Sequence, residues 1–384
     1  MIQPRVAICQ PNFIMGGRLS LVLGIVRTLN AMGIEPDILA LGYSFTPEQI
    51  KQKYGHELRM DFRTVKGLVP WRKLPQDLQI IAFNRMLAKY AAEYDLLINS
   101  SNSQFGLPSN TRVMSYIHFP REYRVREGTS SVYGGNPRSI KAWLFKLTGT
   151  WLKQIYRRSK VNPDHAIVCN SQFSKECFLA VFPEYRKEIP VIYPPVQMDD
   201  YKADENPQRK GVISLGRFAA SKMQMEQIKA AENLPEINFH IVGFVTDKAY
   251  FERCRSYVAS HHLKNVHLHP NLDYGEMVRL LNSSKYFLHT LVNEPFGITA
   301  VEAIAAGCIP IVHNSGGQKE TVPFAELRFD SLQEILRILL QLEQKEASGL
   351  HDVMIELQAY ARKNFDGAVF EERFSSFLIS ILGE

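Results

Sequence analysis

The chain has 384 residues, of which 45% are hydrophobic, and a formal net charge of +6 at pH 7. This length exceeds what one hydrophobic core usually holds, so we expect two domains of comparable size. The modest charge argues against a protein that binds nucleic acid over its whole surface. No apolar run approaches the ~20 residues of a membrane-spanning helix, and the N-terminal apolar segment is too short for a signal peptide.

Five dispersed cysteines without a C-x-x-C pair predict reduced, buried thiols. Together with the absence of an apolar span, they indicate a cytoplasmic protein that is either soluble or peripheral at the inner face of the membrane.

Short apolar runs alternate with helical patterns along the whole chain, which predicts βα units around parallel sheets. The predicted strands of the first half are RVAICQ (5–10), PDILAL (36–41), DLLINS (95–100), RVMSYIHF (112–119), HAIVCN (165–170) and PVIYPP (190–195). Those of the second half are GVISLG (211–216), INFHIVG (237–243), NVHLHP (265–270), KYFLHT (285–290) and CIPIV (308–312). The fold class is therefore α/β, with two Rossmann-like, doubly wound domains.

A polar stretch without apolar periodicity, residues 196–210, predicts the linker between the domains. The first domain is then 1–195 and the second 211–365. Because open α/β sheets bind ligands at the carboxyl ends of their strands, we expect the functional site in a cleft between these two domains.

The tail after the second domain is helical by period, with predicted breaks at Ser348-Gly349 and Asp366-Gly367. Its last helix, about 366–384, could pack on either domain, including back on the first.

The stretch NEPFGITAVEAIAAGCIPIV begins at Asn293 and contains two carboxylates eight positions apart. Its pattern predicts a helix from Ile298 to Ala306 that is ended by Gly307. The start of this helix directs backbone N–H groups toward a ligand and favours an anion such as phosphate. The residues that contribute these groups are Phe296, Gly297, Ile298 and Thr299.

Each of the two carboxylates allows two interpretations. Glu302 lies among small alanines and needs polar partners, such as the hydroxyls of a ribose, unless it is a solvated surface residue. Glu294 lies in the cleft loop, where it either contacts a ligand or only complements the helix dipole.

This stretch resembles the E-x7-E signature of retaining glycosyltransferases of the GT-B fold, the large family 4 group. The resemblance implies that Glu294 lies near the transferred sugar and that Glu302 holds the ribose of the nucleotide. It covers nearly the whole chain and is strongest from Gly211 to Thr321.

A second segment, VISLGRFAASKMQ, places Arg217 directly after the strand and Gly216, with Lys222 five residues later. The two cations could stabilise a departing nucleoside diphosphate, although an ordinary exposed pair has the same appearance. The segment is similar to the family's Gly-Arg, four-residue spacer, Lys pattern. Met223 departs from it, because many relatives carry glycine there.

Three further positions resemble the family at the donor site. Gly16 and Gly17 follow the first strand, as in the loop that approaches the donor phosphates, although a glycine pair alone can simply form a turn. His118 ends a strand and matches a histidine that contacts the donor sugar, although a core histidine is equally compatible. Gly243 ends HIVG, where the nucleotide could approach the backbone.

Residues 121–160 contain ten Lys or Arg against two acids, with apolar residues at helical spacing. This pattern is typical either of an ordinary core-facing helix or of a surface that contacts anionic lipid or a lipid diphosphate acceptor. The residues singled out for acceptor or membrane contact are Arg121, Lys141, Trp143, Arg157 and Arg158.

The resemblance implies a retaining, metal-independent hexosyltransferase without a cofactor, whose donor is a nucleoside diphosphate sugar. VIYPPV and YIHFP are similar to segments of mannosyltransferases that build lipid-linked oligosaccharides, which makes GDP-mannose the first choice, ahead of UDP-glucose and UDP-N-acetylglucosamine. The acceptor is then a glycan or lipid-linked saccharide, and nucleic acid is not a partner. A non-catalytic sugar-nucleotide or glycan-binding protein, and an epimerase or phosphorylase on the same fold, remain open.

Overall fold

The computed structural model describes residues 3–13, 17–44, 46, 48–50, 58–66, 76–127, 150–201 and 209–383. The chain divides into two compact units. The first comprises Met1–Pro195 and Gly367–Glu384, and the second comprises Val196–Asp366. The structure thus differs from the predicted linker at 196–210, because its first residues already belong to the second unit.

The first unit is built on a parallel sheet whose strands are short and, apart from the edge strand β5, almost entirely buried. Its strands are β1 (Val6–Cys9), β2 (Asn12–Phe13), β3 (Asp37–Ala40), β4 (Gly42–Tyr43), β5 (Asp61–Thr64), β6 (Leu96–Asn99), β7 (Val113–Ile117) and β8 (Ala166–Cys169). Six of them form the sheet in the order β5-β3-β1-β6-β7-β8, and β2 pairs separately with β4. The order steps outward from β1 on one side and then outward from β6 on the other, as in a doubly wound fold.

Helices cover this sheet. They include α1 (Gly17–Ala31), α2 (Gln76–Leu87), α3 (Arg121–Arg126) and α4 (Gln172–Val181). Helix α1 is apolar on most of its circumference. Its buried side chains include Leu19, Leu21, Val22, Leu23, Ile25, Val26 and Leu29. Ser171 caps α4 by accepting a hydrogen bond from the Ser174 N–H at 3.0 Å.

The second unit repeats the same architecture. Its strands are β9 (Val212–Leu215), β10 (Phe239–Gly243), β11 (Val266–Pro270), β12 (Tyr286–His289), β13 (Ile309–His313) and β14 (Arg328–Phe329). They pair in the order β11-β10-β9-β12-β13-β14. As in the first unit, the strand order steps outward on one side and then outward on the other, and the change falls between β9 and β12.

Its helices are α5 (Gln224–Glu232), α6 (Lys248–Ser260), α7 (Tyr274–Ser283), α8 (Ile298–Ala305), α9 (Gln318–Thr321), α10 (Leu332–Glu343) and α11 (Ala347–Phe365). Two short 3-10 helices, Met198–Tyr201 and Ala220–Lys222, complete the regular structure near the site.

The last helix, α12 (Gly367–Gly383), returns to the first unit and packs against α1. Its side chains Phe370, Phe374 and Leu378 are buried in the same apolar cluster as α1. Gly24 of α1 makes the close approach of α12 possible, because a Cβ there would lie 3.1 Å from Phe370 Cε1 and 2.7 Å from Pro195 Cγ.

The predicted strands are present to within two residues, with one exception. PVIYPP forms only a single bridge, between Val191 and Cys169, since its prolines lack the N–H that a sheet ladder needs. The predicted helix break at Ser348-Gly349 is wrong, because α11 runs through these residues. The break at Asp366 is present between α11 and α12.

All five cysteines are buried as free thiols, in agreement with the sequence. Within the described ranges, no helix combines the length and the apolar character needed to cross a bilayer.

Candidate active site

The predicted donor-side residues lie at the point where the sheet of the second unit reverses its strand order. This point is between β9 and β12, and doubly wound sheets bind ligands there, outside the carboxyl ends of the strands. Gly216 and Arg217 directly follow β9, and the loop after β12 leads to Glu294. The arrangement follows from two strands that are parallel neighbours and therefore end at the same edge.

The structure brings Lys222 and Glu294 together as an ion pair. Lys222 Nζ lies 2.9 Å from Glu294 Oε2, and the two side chains are only 23% and 18% exposed. Arg217 is exposed on the loop that also carries Lys222. A cation held against a carboxylate and a second, exposed cation can together receive an anionic diphosphate.

The position of Lys222 depends on a left-handed backbone conformation at the next residue. Lys222 ends the 3-10 helix, and Met223 after it has φ 55° and ψ 34°, the left-handed conformation. A residue with a Cβ adopts this conformation at a cost of about 1–2 kcal/mol. The glycine that relatives carry here would adopt it without that cost, so the departure at Met223 changes the energy of the turn and leaves its shape intact.

Buried polar side chains fix the backbone around Lys222. Gln224 Nε2 donates to the Arg217 carbonyl at 2.8 Å. The Thr290 hydroxyl lies 3.3 Å from the Lys222 carbonyl, and it accepts a hydrogen bond from Gln227 Nε2 at 2.9 Å. These residues are not among those predicted from the sequence; their only signal there is that two glutamines three positions apart share the buried face of α5.

The loop that carries Glu294 rests on a glycine pair after β13. Gly317 N–H donates to the Glu294 carbonyl at 2.8 Å. A Cβ at Gly316 would lie 2.5 Å from the same carbonyl oxygen, and one at Gly317 would lie 2.2 Å from the Pro295 oxygen. Only residues without a side chain allow this contact, so the glycine pair determines where Glu294 stands. This pair is also not among the predicted site residues, and its signal in the sequence is the dipeptide Gly-Gly after a strand.

Helix α8 begins as predicted at Ile298 and ends one residue earlier than predicted. Gly297 precedes it with φ 96°, and Gly307 follows it with φ 84°. Phe296 is buried and packs edge-on against Phe365, with ring centroids 5.5 Å apart. Its side chain therefore belongs to the core, and only its backbone can take part in ligand binding. Ile298 and Thr299 are partly exposed.

Glu302 is partly buried and lies in a polar cluster with Tyr201, which is buried, and Tyr274, which is 45% exposed. Burial raises the pKa of Glu302 to about 7, while a hydrogen bond from the Tyr201 hydroxyl favours its ionised form. The Tyr201 hydroxyl also hydrogen-bonds with that of Tyr274, at the start of α7. Tyr201 was missed because it falls in the stretch predicted as a linker.

The close packing of β9 against β10 explains why residue 243 is a glycine. A Cβ at this position would lie 1.9 Å from the Gly216 carbonyl oxygen. The glycine is thus required by the contact between the two strand ends, whether or not a nucleotide approaches it. Phe244, the next residue, is 63% exposed at the same edge.

His118 lies in the first unit, directly after β7. Its backbone N–H donates to Asn102 Oδ1 at 2.8 Å, and its Nε2 lies 3.4 Å from the Ser100 hydroxyl. Asn102 has φ 66° in a buried polar loop that follows β6. Because the strand order of this unit reverses between β1 and β6, His118 stands one strand from the reversal. Gly16 lies outside the described residues, and Gly17 is the first residue of α1.

No group of three or more His, Cys, Asp or Glu side chains in the described ranges is arranged to hold a metal ion.

Comparison with known protein families agrees with this geometry. The model for "Glycosyltransferase Family 4" matches residues 15–200, and the model for "Glycosyl transferases group 1" matches residues 197–329. The chain is a family 4 glycosyltransferase. The resemblance seen in the sequence is thereby confirmed. The group 1 model covers every predicted donor-side residue of the second unit, and the family 4 model covers Gly16 and Gly17 of the first.

Curated relatives of this glycosyltransferase carry mannosyltransferase names. The GDP-Man:Man(3)GlcNAc(2)-PP-Dol alpha-1,2-mannosyltransferase of Dictyostelium discoideum is 23% identical over 73% of this chain and 61% of its own length. The alpha-1,3/1,6-mannosyltransferase alg2 of Schizosaccharomyces pombe is 23% identical over 83% of this chain and 69% of its own. The chain thus spans less than two thirds of the length of the first of these.

Among solved structures, that of Anabaena Alr3699/HepE in complex with UDP and glucose has a TM-score of 0.70 and 16% identity. The match covers 98% of this chain and 100% of the other. At this identity the likeness concerns the fold, and it confirms that the glycosyltransferase has the GT-B fold.

The basic segment of the glycosyltransferase is only partly described, and Lys141 and Trp143 lie outside the described residues. Arg121, which was predicted to contact the acceptor or the membrane, is largely buried. Its guanidinium makes a two-point ion pair with Asp77, at 2.5 and 2.8 Å, and is 12% exposed. Arg157 and Arg158 are exposed.

Proposed function

We propose that this glycosyltransferase transfers a hexose, first of all mannose from GDP-mannose, to a lipid-linked saccharide with retention of the anomeric configuration. The observation that carries the proposal is the Lys222–Glu294 ion pair, 2.9 Å long, beside exposed Arg217 at the reversal point of the sheet. The names of the curated relatives support mannose and a lipid diphosphate acceptor.

Each donor-side residue then has a distinct role. Glu302 accepts hydrogen bonds from the ribose hydroxyls, and Glu294 binds a hydroxyl of the transferred sugar. Arg217 and Lys222 stabilise the diphosphate as negative charge develops on it in the transition state. The resemblance to the family gives His118 the role of a contact to the donor sugar.

Two cations at the diphosphate supply the positive charge that a divalent metal supplies in other transferases, so the proposed reaction is metal-independent. The acceptor contacts the first unit, where exposed Arg157 and Arg158 can approach a lipid diphosphate or an anionic membrane surface.

A second candidate donor is UDP-glucose, because one solved structure of the same fold contains UDP and glucose. UDP-N-acetylglucosamine is the third. These donors share the diphosphate and the ribose, and they differ in the base and in the sugar.

A thermal-shift panel of GDP, UDP and ADP with their sugars identifies the donor, because a ligand that binds the native state raises its melting temperature. We expect the largest shift with GDP-mannose. Product analysis with the best donor, with and without a lipid-linked acceptor, then tests transfer. Binding without any product would favour a non-catalytic sugar-nucleotide protein, and rearranged or released sugar without acceptor would favour an epimerase or phosphorylase.

A further inference from the structure

Among the residues that the structure describes, two aromatic side chains are exposed at the carboxyl edge of the second unit's sheet. Phe244 directly follows β10 and is 63% exposed, and Tyr274 begins α7 after β11 and is 45% exposed. Because β10 and β11 are parallel neighbours, both residues lie at the same edge. Exposure alone assigns an apolar residue no role, but this is the edge at which doubly wound sheets bind their ligands.

Backbone hydrogen bonds hold Phe244 beside the proposed diphosphate site. The pairing of β9 with β10 continues past the ends of the two strands, where the Phe218 N–H donates to the Phe244 carbonyl at 2.8 Å. Arg217 immediately precedes Phe218, so its backbone lies about one strand spacing, roughly 5 Å, from that of Phe244. An exposed cation and an exposed aromatic ring are thus neighbours at this edge.

The loop after β11 fixes the residues on both sides of Phe244. Asn271, which has φ 57°, donates its backbone N–H to the Gly243 carbonyl at 2.9 Å. The side-chain oxygen of Asn271 accepts a hydrogen bond from the Val245 N–H at 3.1 Å. A side chain on a backbone that is already ordered loses less conformational freedom when a ligand covers it. The exposed ring of Phe244 is therefore suited to bind a flat ligand.

The polar groups that the proposed function gives to the ribose extend toward the same loops. Glu302 hydrogen-bonds with Tyr201, and Tyr201 hydrogen-bonds with Tyr274, the first residue after the β11 loop. In a nucleoside diphosphate, the ribose joins the diphosphate to the base. A ligand with its diphosphate at Arg217 and its ribose at Glu302 therefore needs an apolar surface for its base near the ends of β10 and β11.

We propose that the ring of Phe244 is the surface on which the nucleobase of the donor stacks. The inference rests on the proposed function, which supplies the nucleotide. Every base has a π face, so stacking adds affinity for the nucleotide whichever base it carries. Phe244 takes no part in the transfer of the sugar.

Three substitutions of Phe244 separate stacking from other effects. Phe244→Ala removes the ring, Phe244→Leu keeps apolar surface without a flat face, and Phe244→Trp keeps a flat face. Leu340→Ala and Leu340→Trp are the matched controls, because Leu340 is 48% exposed in the same unit. It lies near the end of α10, where Glu343 pairs with Lys285 just before β12, and therefore near the opposite edge of the sheet. Melting temperatures establish that all variants fold.

Calorimetry measures the affinity for two ligands. One is the nucleoside diphosphate that binds best in the thermal-shift panel, GDP by the proposed function, and the other is inorganic pyrophosphate, which has no base. We expect Phe244→Ala to weaken binding of the nucleoside diphosphate about tenfold, the usual size of the loss of one stacked base, and to leave the affinity for pyrophosphate unchanged. Phe244→Leu should also bind the nucleoside diphosphate more weakly, and both Leu340 variants should bind it normally.

Fluorescence gives a direct signature of stacking, because a base that stacks on an indole ring quenches its emission. Phe244→Trp should bind the nucleoside diphosphate at least as tightly as the unmodified protein does. Its emission should fall when this ligand is added, by more than that of the unmodified protein or of Leu340→Trp.

An unchanged affinity for the nucleoside diphosphate in Phe244→Ala or Phe244→Leu would overturn the inference and leave the proposed function intact. An equal loss of affinity for pyrophosphate would also overturn it, because a disturbed Arg217 would then explain the result. So would a Phe244→Trp variant that binds without additional quenching. If the unmodified protein binds no nucleoside diphosphate and no nucleotide sugar, the proposed function fails and the inference fails with it.

Discussion

Replacing Glu302 by glutamine should remove the pH dependence of donor binding. Burial raises the pKa of Glu302 to about 7, so its carboxylate changes charge between pH 6 and 8. With this pKa, about 10% of the groups are ionised at pH 6 and about 90% at pH 8. If the ionised form binds the ribose hydroxyls, the affinity for the nucleotide sugar should rise about tenfold over this range.

The raised pKa of Glu302 has the opposite effect on stability: donor affinity should rise with pH, whereas the stability of the fold should fall. The folded-state pKa of about 7 lies above the ordinary glutamate pKa of 4.5, so the folded protein keeps a proton that the unfolded chain has released. The contribution of Glu302 to stability is therefore fully present below pH 4.5 and is lost as the pH rises toward 7. At 1.36 kcal/mol per pH unit, the loss is at most about 3 kcal/mol.

Calorimetry with the nucleotide sugar and thermal unfolding, both at pH 6, 7 and 8, measure the two effects. Glu302→Gln should bind with an affinity that does not change with pH and should be more stable than the unmodified protein at pH 8. A nucleotide sugar avoids the titration of a terminal phosphate. An unmodified protein whose affinity is flat from pH 6 to 8, or a variant that retains the full slope, would refute the ribose role and the burial argument together.

The remaining predictions concern the cations and the strand packing. Lys222→Ala and Arg217→Ala should each abolish transfer, as measured by product formation, while the melting temperature stays near that of the unmodified protein; near-normal rates would remove the assigned role. Gly243→Ala should cost about 1–3 kcal/mol in unfolding free energy, because its Cβ would meet a backbone oxygen at 1.9 Å. Gly349→Ala in α11 is the control, since no atom lies within 4 Å of its Cβ position, and it should be neutral or stabilising. Equal loss in both variants would contradict the packing argument.

The sheets were predictable from the sequence because their strands are buried on both faces. Such strands appear as continuous runs of Val, Ile and Leu, as in VAIC and LLIN. β5 was missed because it is an edge strand of polar composition, Asp61–Thr64, and β14 because it has only two residues. PVIYPP was wrongly predicted as a strand because it is apolar, although its prolines argue against a strand.

The position of the candidate site was predictable where its residues lie in loops that follow strands. Arg217 follows β9 and Glu294 lies in the loop after β12, and the carboxyl ends of these parallel strands share an edge. Residues that act across loops were missed, because their partners are distant in sequence. Gly317 bonds Glu294, 23 positions away, and Tyr201 approaches Glu302 from before β9. Spacing within a motif carries no information about such contacts.

The return of α12 to the first unit makes the second unit an insertion within the first. The polypeptide leaves after Pro195 and comes back at Gly367, and the two crossing points are paired through Val196 and Asp366. During synthesis the apolar surface of α1 that packs against α12 therefore stays uncovered until α12 has been made. A chain that is cut before Gly367 therefore leaves this apolar surface of α1 exposed.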